Sequence, residues 1–128
     1  MFQQFLYLSR LAPACPLADV VHIISTSRRK NLATGITGVL CFDGNSFCQY
    51  IEGEAAALES LRHSILADWR HQDIRVLLDG QMPARAFSGW GIGYDYQHTM
   101  QLLSRINQLQ GEAALAELKQ RLPDFVFL

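Results

Sequence analysis

The sequence has little charge, few cysteines and no long apolar run. Charged residues make up 18% of the 128 residues and the formal net charge is −1, so we expect no basic surface for nucleic acid or for an anionic membrane. The longest uninterrupted apolar runs are too short to span a bilayer. The segment from Met1 to Gln4 lacks the charged and apolar regions of a secretion signal, so a cytoplasmic protein is expected.

Sequence motifs of common metal-binding, nucleotide-binding and catalytic sites are also missing. The three cysteines are odd in number and match no metal-binding spacing, and the four histidines include no i, i+4 pair, so no metal site is expected. The chain has no G-x-G-x-x-G or P-loop motif and no Ser-His-Asp or Cys-His arrangement that supports nucleophilic catalysis. Its apolar content of 49% instead suits one globular domain with a core that needs no disulfide or metal.

Hydrophobic periodicity predicts the order β-α-β-β-α-β-β, followed by two helices. Strands are predicted at about 2–9, 36–42, 47–51, 74–78 and 90–94, core helices at about 16–30 and from 54, a polar turn at 70–73 and a loop at 79–87. This is the ferredoxin-like pattern of the α+β class, with both core helices on one face of an antiparallel sheet. The other face carries apolar residues, so we expect the C-terminal helices or a second subunit to cover it.

A glutamine occupies a position in the third strand where an apolar residue is expected. Side chains of a strand alternate between two faces, so Gln49 shares a face with Phe47 and Ile51. In the first strand, Tyr7 has the same parity as Phe5. A phenol and an amide directed into a small core cost a few kcal/mol if they are unpaired, so we expect a polar group between Tyr7 and Gln49.

The first helix carries a row of side chains that runs from apolar to polar. Ile23, Ser27 and Asn31 lie at i, i+4 and i+8, and a stripe made only for packing would not usually end in this way. Asn31 is also typical of a helix C-cap, and the basic run 28–30 suits either a solvated last turn or a phosphate contact. A planar heterocycle such as an isoalloxazine ring would satisfy Tyr7, Asn31 and Gln49, as would buried water or an amide network.

An ordered set of short motifs supports one family. They are Leu6-Tyr7-Leu8-Ser9, Asn31, Ile36-Thr37-Gly38, the run Phe47-Cys48-Gln49-Tyr50-Ile51-Glu52-Gly53, Arg70-His71 and Arg85-Ala86-Phe87-Ser88-Gly89-Trp90. Each motif is weak alone. In this order, over about residues 5–94, the chain resembles the BLUF family, small blue-light sensors that bind FAD.

The resemblance implies that a flavin is held between the two core helices by Tyr7, Ile23, Asn31, Gln49, Ile65, Arg70 and His71. Ile23 and Ile65 match the aliphatic residues that sandwich the ring. Asn31 matches the amide at the pyrimidine edge, and Arg70 with His71 matches the pair that closes the far side. Judged without the family, Ile23 and Ile65 are also compatible with ordinary core residues, and His71 with a surface turn.

The resemblance also implies a mechanism. Tyr7 matches the electron and proton donor, Gln49 the switching amide, and Trp90 the family's tryptophan near that amide. Light is expected to drive electron and proton transfer from Tyr7, after which the Gln49 amide rotates or tautomerises and the absorption band shifts to the red. An amide suits this role because its two ends exchange donor and acceptor with little change of shape.

One position departs from the family. Ile92 stands where a methionine is usual, and isoleucine is stiff and lacks the polarizable sulfur. This substitution bears on the lifetime of the lit state and on how the signal reaches the fifth strand, whereas flavin binding is expected to survive.

We therefore expect a non-enzymatic photoreceptor with a flavin-binding domain at 1–96 and a helical extension at 97–128. FAD is the expected cofactor, with FMN or riboflavin as substitutes. The C-terminal helices and the tail 125–128 are expected to pass the signal to an unidentified protein partner, and a homo-oligomer is expected. Two alternatives are an acylphosphatase-type enzyme, for which Pro13-Ala14-Cys15-Pro16 lacks phosphate-cradling glycines, and a flavin-free regulatory or ligand-binding module of the same fold.

Overall fold

A computed structural model describes residues 2–87, 90–94 and 96–121 of the chain. Its elements are β1 (Phe2–Leu11), α1 (Leu17–Ala33), β2 (Thr37–Phe42), β3 (Ser46–Glu54), α2 (Ala55–Ala67), β4 (His71–Met82), β5 (Trp90–Tyr94), α3 (Tyr96–Ile106) and α4 (Gly111–Arg121). The predicted order of elements is confirmed. None of these described helices is long and apolar enough to cross a membrane. The side chains of Trp90 and Ile92 and the apolar tail 125–128 lie outside the described residues.

The five strands form one sheet in the order β4-β1-β3-β2-β5. β1 runs antiparallel to both of its neighbours, and β2 and β3 form an antiparallel hairpin. The hairpin pairs Cys41 with Cys48 and Phe42 with Phe47. β5 joins the far edge parallel to β2. Apart from β5, this is the ferredoxin-like arrangement expected from the sequence.

Each face of the sheet has its own apolar cluster. Phe5 and Ile51 pack with Val20 of α1 and Leu58 of α2 on one face. On the other face, the cluster combines sheet residues with residues of α3 and α4, namely Leu6, Leu8, Val39, Cys41, Tyr50, Leu102, Ile106, Leu115 and Leu118. The C-terminal helices of this chain therefore cover the second face.

Helix α1 extends one turn beyond the predicted end near Lys30, so the C-cap role considered for Asn31 is wrong. The helix ends at Ala33, and Gly35 follows with a φ of +74°. The N–H of Gly35 donates to the Leu32 carbonyl at 3.3 Å, and the N–H of Ile36 donates to the Asn31 carbonyl at 2.8 Å. This is a Schellman ending, in which glycine takes the left-handed position after the cap. Asn31 consequently lies inside the last turn, with its side chain buried.

Strand β4 is longer than the sequence predicts at both ends. The predicted polar turn at 70–73 and the predicted loop at 79–87 are wrong in part, because β4 runs from His71 to Met82. It pairs with β1 from Leu11 back to Phe2. The hydrogen bonds of this long ladder stabilise a segment whose own pattern, with Gly80 and several polar residues, is a weak strand signal.

Candidate functional site

A cleft of about 220 Å³ lies between α1 and α2 on the sheet face that carries Tyr7. Its lining comes from both helices, from β1, β2 and β3, and from the start of β4: Tyr7, Ile23, Thr26, Ser27, Lys30, Asn31, Leu40, Phe47, Gln49, Leu61, Ser64, Ile65, Asp68, Arg70 and His71. The fold thus brings together all seven residues for which we predicted cofactor binding. Their roles toward a cofactor remain predictions.

Tyr7 and Gln49 are opposite each other in the register of β1 and β3. The Tyr7 hydroxyl donates a hydrogen bond to Oε1 of Gln49, and both side chains are buried. The expectation of a polar group between them is therefore wrong, because opposite residues on neighbouring strands are close enough to bond directly. With Oε1 committed to Tyr7, the Gln49 amide still offers its two N–H donors to a ligand in the cleft.

The surroundings of Tyr7 keep its phenol protonated. Burial raises the pKa of this phenol well above its ordinary value; the Cys48 thiol, once ionised, and the negative charge of Asp68 raise this pKa further. The rings of His71 and Tyr7 meet edge to face, with their centroids 5.9 Å apart. At neutral pH, Tyr7 is therefore a neutral hydrogen-bond donor directed at a carboxamide.

Asn31 presents an unpaired donor in the cleft. Its side chain is 3% exposed, and its buried Nδ2 has no hydrogen-bond partner within the described part of the chain. An unsatisfied buried donor costs about 1–3 kcal/mol, so this amide fits a ligand that brings an acceptor oxygen. A carbonyl of the predicted heterocycle would serve, and the donor set of the cleft therefore fits a flavin.

Each helix contributes apolar side chains to the walls of the cleft. Ile23 comes from α1 and Ile65 from α2, while Ser27 and Asn31 continue the row that begins at Ile23. The predicted row on the first helix therefore faces the cleft along its whole length. Apolar side chains on two helices with amides at one edge suit a planar, polar-edged ring.

Arg70 is fixed by a carboxylate that the sequence analysis missed. Its Nε donates to Asp68 Oδ1 at 2.9 Å, and its Nη2 donates to Oδ2 at 2.7 Å. The hydrogen bond from Arg70 holds the pKa of the Asp68 carboxyl below its ordinary value, against the opposing effect of partial burial. The two residues flank one turn after α2, and their i, i+2 spacing was the available signal.

His71 is held at both ring nitrogens. Nδ1 lies 2.8 Å from Oγ of Ser9, and Nε2 lies 2.6 Å from the carbonyl oxygen of Ile65. The alternative of a surface turn residue is therefore wrong, because His71 is the first residue of β4 and lines the cleft.

The remaining lining residues were not predicted to bind the ring. Lys30 was considered as a solvated residue or a phosphate contact, and it lines the cleft. Leu40 and Phe47 follow the ordinary alternation of apolar residues in a strand, and this pattern does not show whether such a residue lines a cleft or packs in the core. The predicted role of Trp90 near Gln49 depends on a side chain outside the described residues.

Comparison with known proteins supports one family over most of the chain. The family profile described as "Sensors of blue-light using FAD" (BLUF) matches residues 2–93. The blue light- and temperature-regulated antirepressor BluF of Escherichia coli (strain K12) is 30% identical over 92 residues, which cover 72% of this chain and 23% of that protein. The chain thus spans about a quarter of the length of this curated relative.

Two solved structures extend the likeness to the fold. The dark-state structure of BlrB, a BLUF protein, is 35% identical, with a TM-score of 0.78 and 94% of each chain covered. The structure of Klebsiella pneumoniae BlrP1 with FMN and cyclic diGMP is 37% identical, with a TM-score of 0.66, and the match covers 74% of this chain and 26% of that one.

Proposed function

The chain belongs to the BLUF family of flavin-binding blue-light sensors, and we propose that Tyr7 and Gln49 are its photoactive pair. The observation that carries this proposal is the buried hydrogen bond from the Tyr7 hydroxyl to the Gln49 carboxamide at the edge of the cleft. A phenol that is neutral and already bonded to an amide has a short path for its proton.

The proposed flavin site uses the cleft residues in distinct roles. Asn31 donates to a carbonyl of the pyrimidine edge, which satisfies its unpaired Nδ2. Ile23 and Ile65 pack against the two faces of the ring, and Arg70 with His71 closes the far side. When bound, the flavin supplies the absorption of blue light and an oxidising excited state.

The remaining chemistry belongs to the two side chains. Tyr7 is the proposed electron donor, and its proton moves along the existing hydrogen bond to Oε1 of Gln49. The Gln49 amide then rotates or tautomerises, which changes the atoms it presents to the cleft without changing its volume. The electron and the proton return to Tyr7, so its phenol is restored and only the hydrogen-bond arrangement of Gln49 stays altered. Burial keeps water from competing for these groups, so the altered arrangement persists after the light step.

FAD is the cofactor that we propose, since the family consists of blue-light sensors using FAD. Klebsiella pneumoniae BlrP1 has been solved with FMN, which supports acceptance of a shorter flavin by the same kind of cleft. FAD and FMN share the isoalloxazine ring, and the described lining residues are the ones that would contact that ring.

The proposed output is a shift of β5 and the C-terminal helices that a protein partner detects. β5 pairs with β2, and α3 and α4 pack on the opposite face of the same sheet, so a change at β3 has a direct route to them. The relative from Escherichia coli is named an antirepressor, which supports a protein partner rather than an enzymatic step of this chain.

We retain the division into residues 1–96 and 97–128 and a homo-oligomer as proposals. The three cysteines are unpaired thiols, which supports a reducing, cytoplasmic location.

The test is the absorption spectrum of the purified protein before, during and after blue illumination. We expect a bound flavin whose band shifts to the red in the light and returns in the dark. Gln49→Leu and Gln49→Glu should bind flavin without the reversible shift, because neither side chain is an amide that exchanges donor and acceptor. A wild-type difference spectrum from either variant would refute the role of Gln49, and a chain that rejects added flavin would refute the site.

A further inference from the structure

His71 connects three elements through its ring. Ser9 of β1 lies at Nδ1 and the Ile65 carbonyl of α2 lies at Nε2, while His71 itself begins β4. We call these three groups the His71 bridge. Ser9 is 2% exposed, so its hydroxyl has little access to water. The Ile65 carbonyl belongs to the last turn of α2, whose side chain at Ile65 forms one wall of the cleft.

The partners of the bridge determine the tautomer of the ring. A carbonyl oxygen only accepts, so Nε2 of His71 must carry the hydrogen that it donates to Ile65. In the neutral imidazole, Nδ1 is then the acceptor, and the Ser9 hydroxyl donates to it. The arrangement is therefore directional, from the Ser9 hydroxyl through the ring to the backbone of α2.

The pairing of β4 with β1 places His71 on the cleft side of the sheet. Between the pairs Leu8–Arg75 and Arg10–Gln72, β1 has one residue and β4 has two. One of these two residues is Asp73, with a φ of +54°, which is a bulge geometry. A second register shift lies between Leu6 and Tyr7, and with both shifts His71 is opposite Leu11, whose side chain shares the parity of Tyr7, so the histidine lies on the face that carries Tyr7.

We propose that Ser9 and His71 are positioning residues that set the width of the flavin cleft. The bridge ties the C-terminal turn of α2, and with it the Ile65 wall, to the sheet at β1 and β4. This inference rests on the proposed flavin site, since the width matters for a planar ring between two helices. Ser9 itself does not line the cleft, so its effect on flavin passes through His71.

Nuclear magnetic resonance of protein labelled with ¹⁵N at histidine tests the bridge directly. In the wild type we expect the His71 proton on Nε2 and an Nδ1 resonance typical of a hydrogen-bonded acceptor. In Ser9→Ala the Nδ1 resonance should move toward that of an unbonded nitrogen, whereas Ser9→Thr, which keeps the hydroxyl, should restore it. A wild-type ring protonated at Nδ1 alone would overturn the proposal without any variant.

Flavin affinity tests the consequence. Ser9→Ala should weaken flavin binding about tenfold, the effect of losing one buried hydrogen bond, and Ser9→Thr should bind nearly as the wild type does. The flavin that still binds should show a normal red shift, because Tyr7 and Gln49 are unchanged. Unaltered affinity in Ser9→Ala would overturn the proposal.

Amide hydrogen exchange separates this inference from the proposed function. The N–H of Asp68 donates to the same Ile65 carbonyl at 3.3 Å, so loosening of this turn is visible without flavin. Exchange at Asp68 should be faster in Ser9→Ala than in the wild type or in Ser9→Thr. If the wild type does not bind flavin but the exchange rates at Asp68 differ as stated, the proposed function is refuted and the His71 bridge is supported. Equal rates in all three proteins would contradict the bridge.

Discussion

Tyr7 and Tyr50 are two buried phenols on opposite faces of the same sheet, and their partners differ. The Tyr7 hydroxyl donates to the Gln49 amide at the cleft. The Tyr50 hydroxyl lies 2.9 Å from Oε2 of Glu52 and 3.0 Å from Oε1 of Gln4, among the residues that face α3 and α4. Both phenols are buried, but Tyr7 is bonded to an amide at the cleft and Tyr50 to a carboxylate on the other face. Tyr50 is therefore a matched control for the proposed photoactive role of Tyr7.

Tyr7→Phe should retain flavin and lose the reversible red shift. The substitution removes the proton and the easily oxidised phenol but keeps the ring that packs beside Phe5. Tyr50→Phe should keep the shift, because the phenol it removes faces away from the cleft. Light-minus-dark difference spectra of both variants decide the matter. A normal shift in Tyr7→Phe, or its loss in Tyr50→Phe alone, would contradict the assignment.

Asn31→Ala should weaken flavin binding by about tenfold or more and change the stability of the flavin-free protein little. The buried Nδ2 has no acceptor within the described residues, so its removal costs no hydrogen bond from that atom, whereas a bound flavin loses a donor. Flavin titration and urea unfolding of the flavin-free protein measure the two effects. A large loss of stability with unchanged affinity would assign Asn31 to the fold instead of the site.

At the scale of elements, Glu52 connects β3 to the segment that precedes β5. Its carboxylate is 0% exposed and accepts hydrogen bonds from the N–H of Ala86 at 3.0 Å and of Phe87 at 2.6 Å. The hydroxyl of Thr37 also donates to it, at 3.2 Å. A buried carboxylate is stable only with such donors, so Glu52 holds the segment that contains Ala86 and Phe87. Glu52 itself lies three residues after Gln49 on β3.

Glu52→Gln should destabilise the protein by roughly 2–4 kcal/mol, because an NH₂ group would replace one oxygen that faces backbone N–H donors. Urea unfolding monitored by circular dichroism measures this change. Glu54→Gln is the matched control, since Glu54 is exposed, and its substitution should cost less than about 0.5 kcal/mol. Equal stabilities of the two variants would show that the carboxylate of Glu52 is dispensable for this contact.

At the scale of the whole molecule, both faces of the sheet are covered by helices of the same chain. The apolar residues of α3 and α4 that cover the second face, including Leu102, Ile106 and Leu118, are 0% exposed against the sheet. An oligomer, which stays a prediction, must therefore use other surface. The same burial places phenols and thiols in the interior, which makes stability sensitive to alkaline pH.

The free energy of unfolding should fall as pH rises above about 9. Burial raises the pKa of the Cys41 thiol to about 12 and also raises the pKa values of Cys48, Tyr7 and Tyr50. In the unfolded chain these groups ionise near 9.0 and 10.0, so above those values the unfolded state binds fewer protons than the folded state and is favoured.

Below about pH 9 the buried thiols and phenols are protonated in both states, and their full contribution to the free energy of unfolding is present. Above its unfolded pKa, each group lowers the free energy of unfolding by about 1.4 kcal/mol per pH unit. Urea unfolding at about pH 8 and about pH 11 measures the difference. Cys41→Ala should reduce the slope, because it removes one of the titrating groups. A stability that does not change over this interval would show that the buried groups do not ionise on unfolding.

The sequence by itself determined the order of elements and the face that Tyr7 and Gln49 share. Strand alternation assigns Tyr7 and Gln49 to one face, and the helical row assigns Ile23, Ser27 and Asn31 to one stripe, because both periodicities are local properties of the backbone. The local pattern did not show that Asn31 lies inside the helix rather than at its cap, since the Schellman ending depends on how Gly35 turns the chain.

Only the tertiary structure decided the extent of β4 and the His71 bridge. β4 extends through weakly patterned sequence because β1 offers it a ladder partner, and two register shifts along this pairing decide that His71 is opposite Leu11. Ser9 is separated from His71 by 62 positions. Such contacts depend on register between strands distant in sequence, and register is set by the packing of the whole sheet rather than by any local pattern.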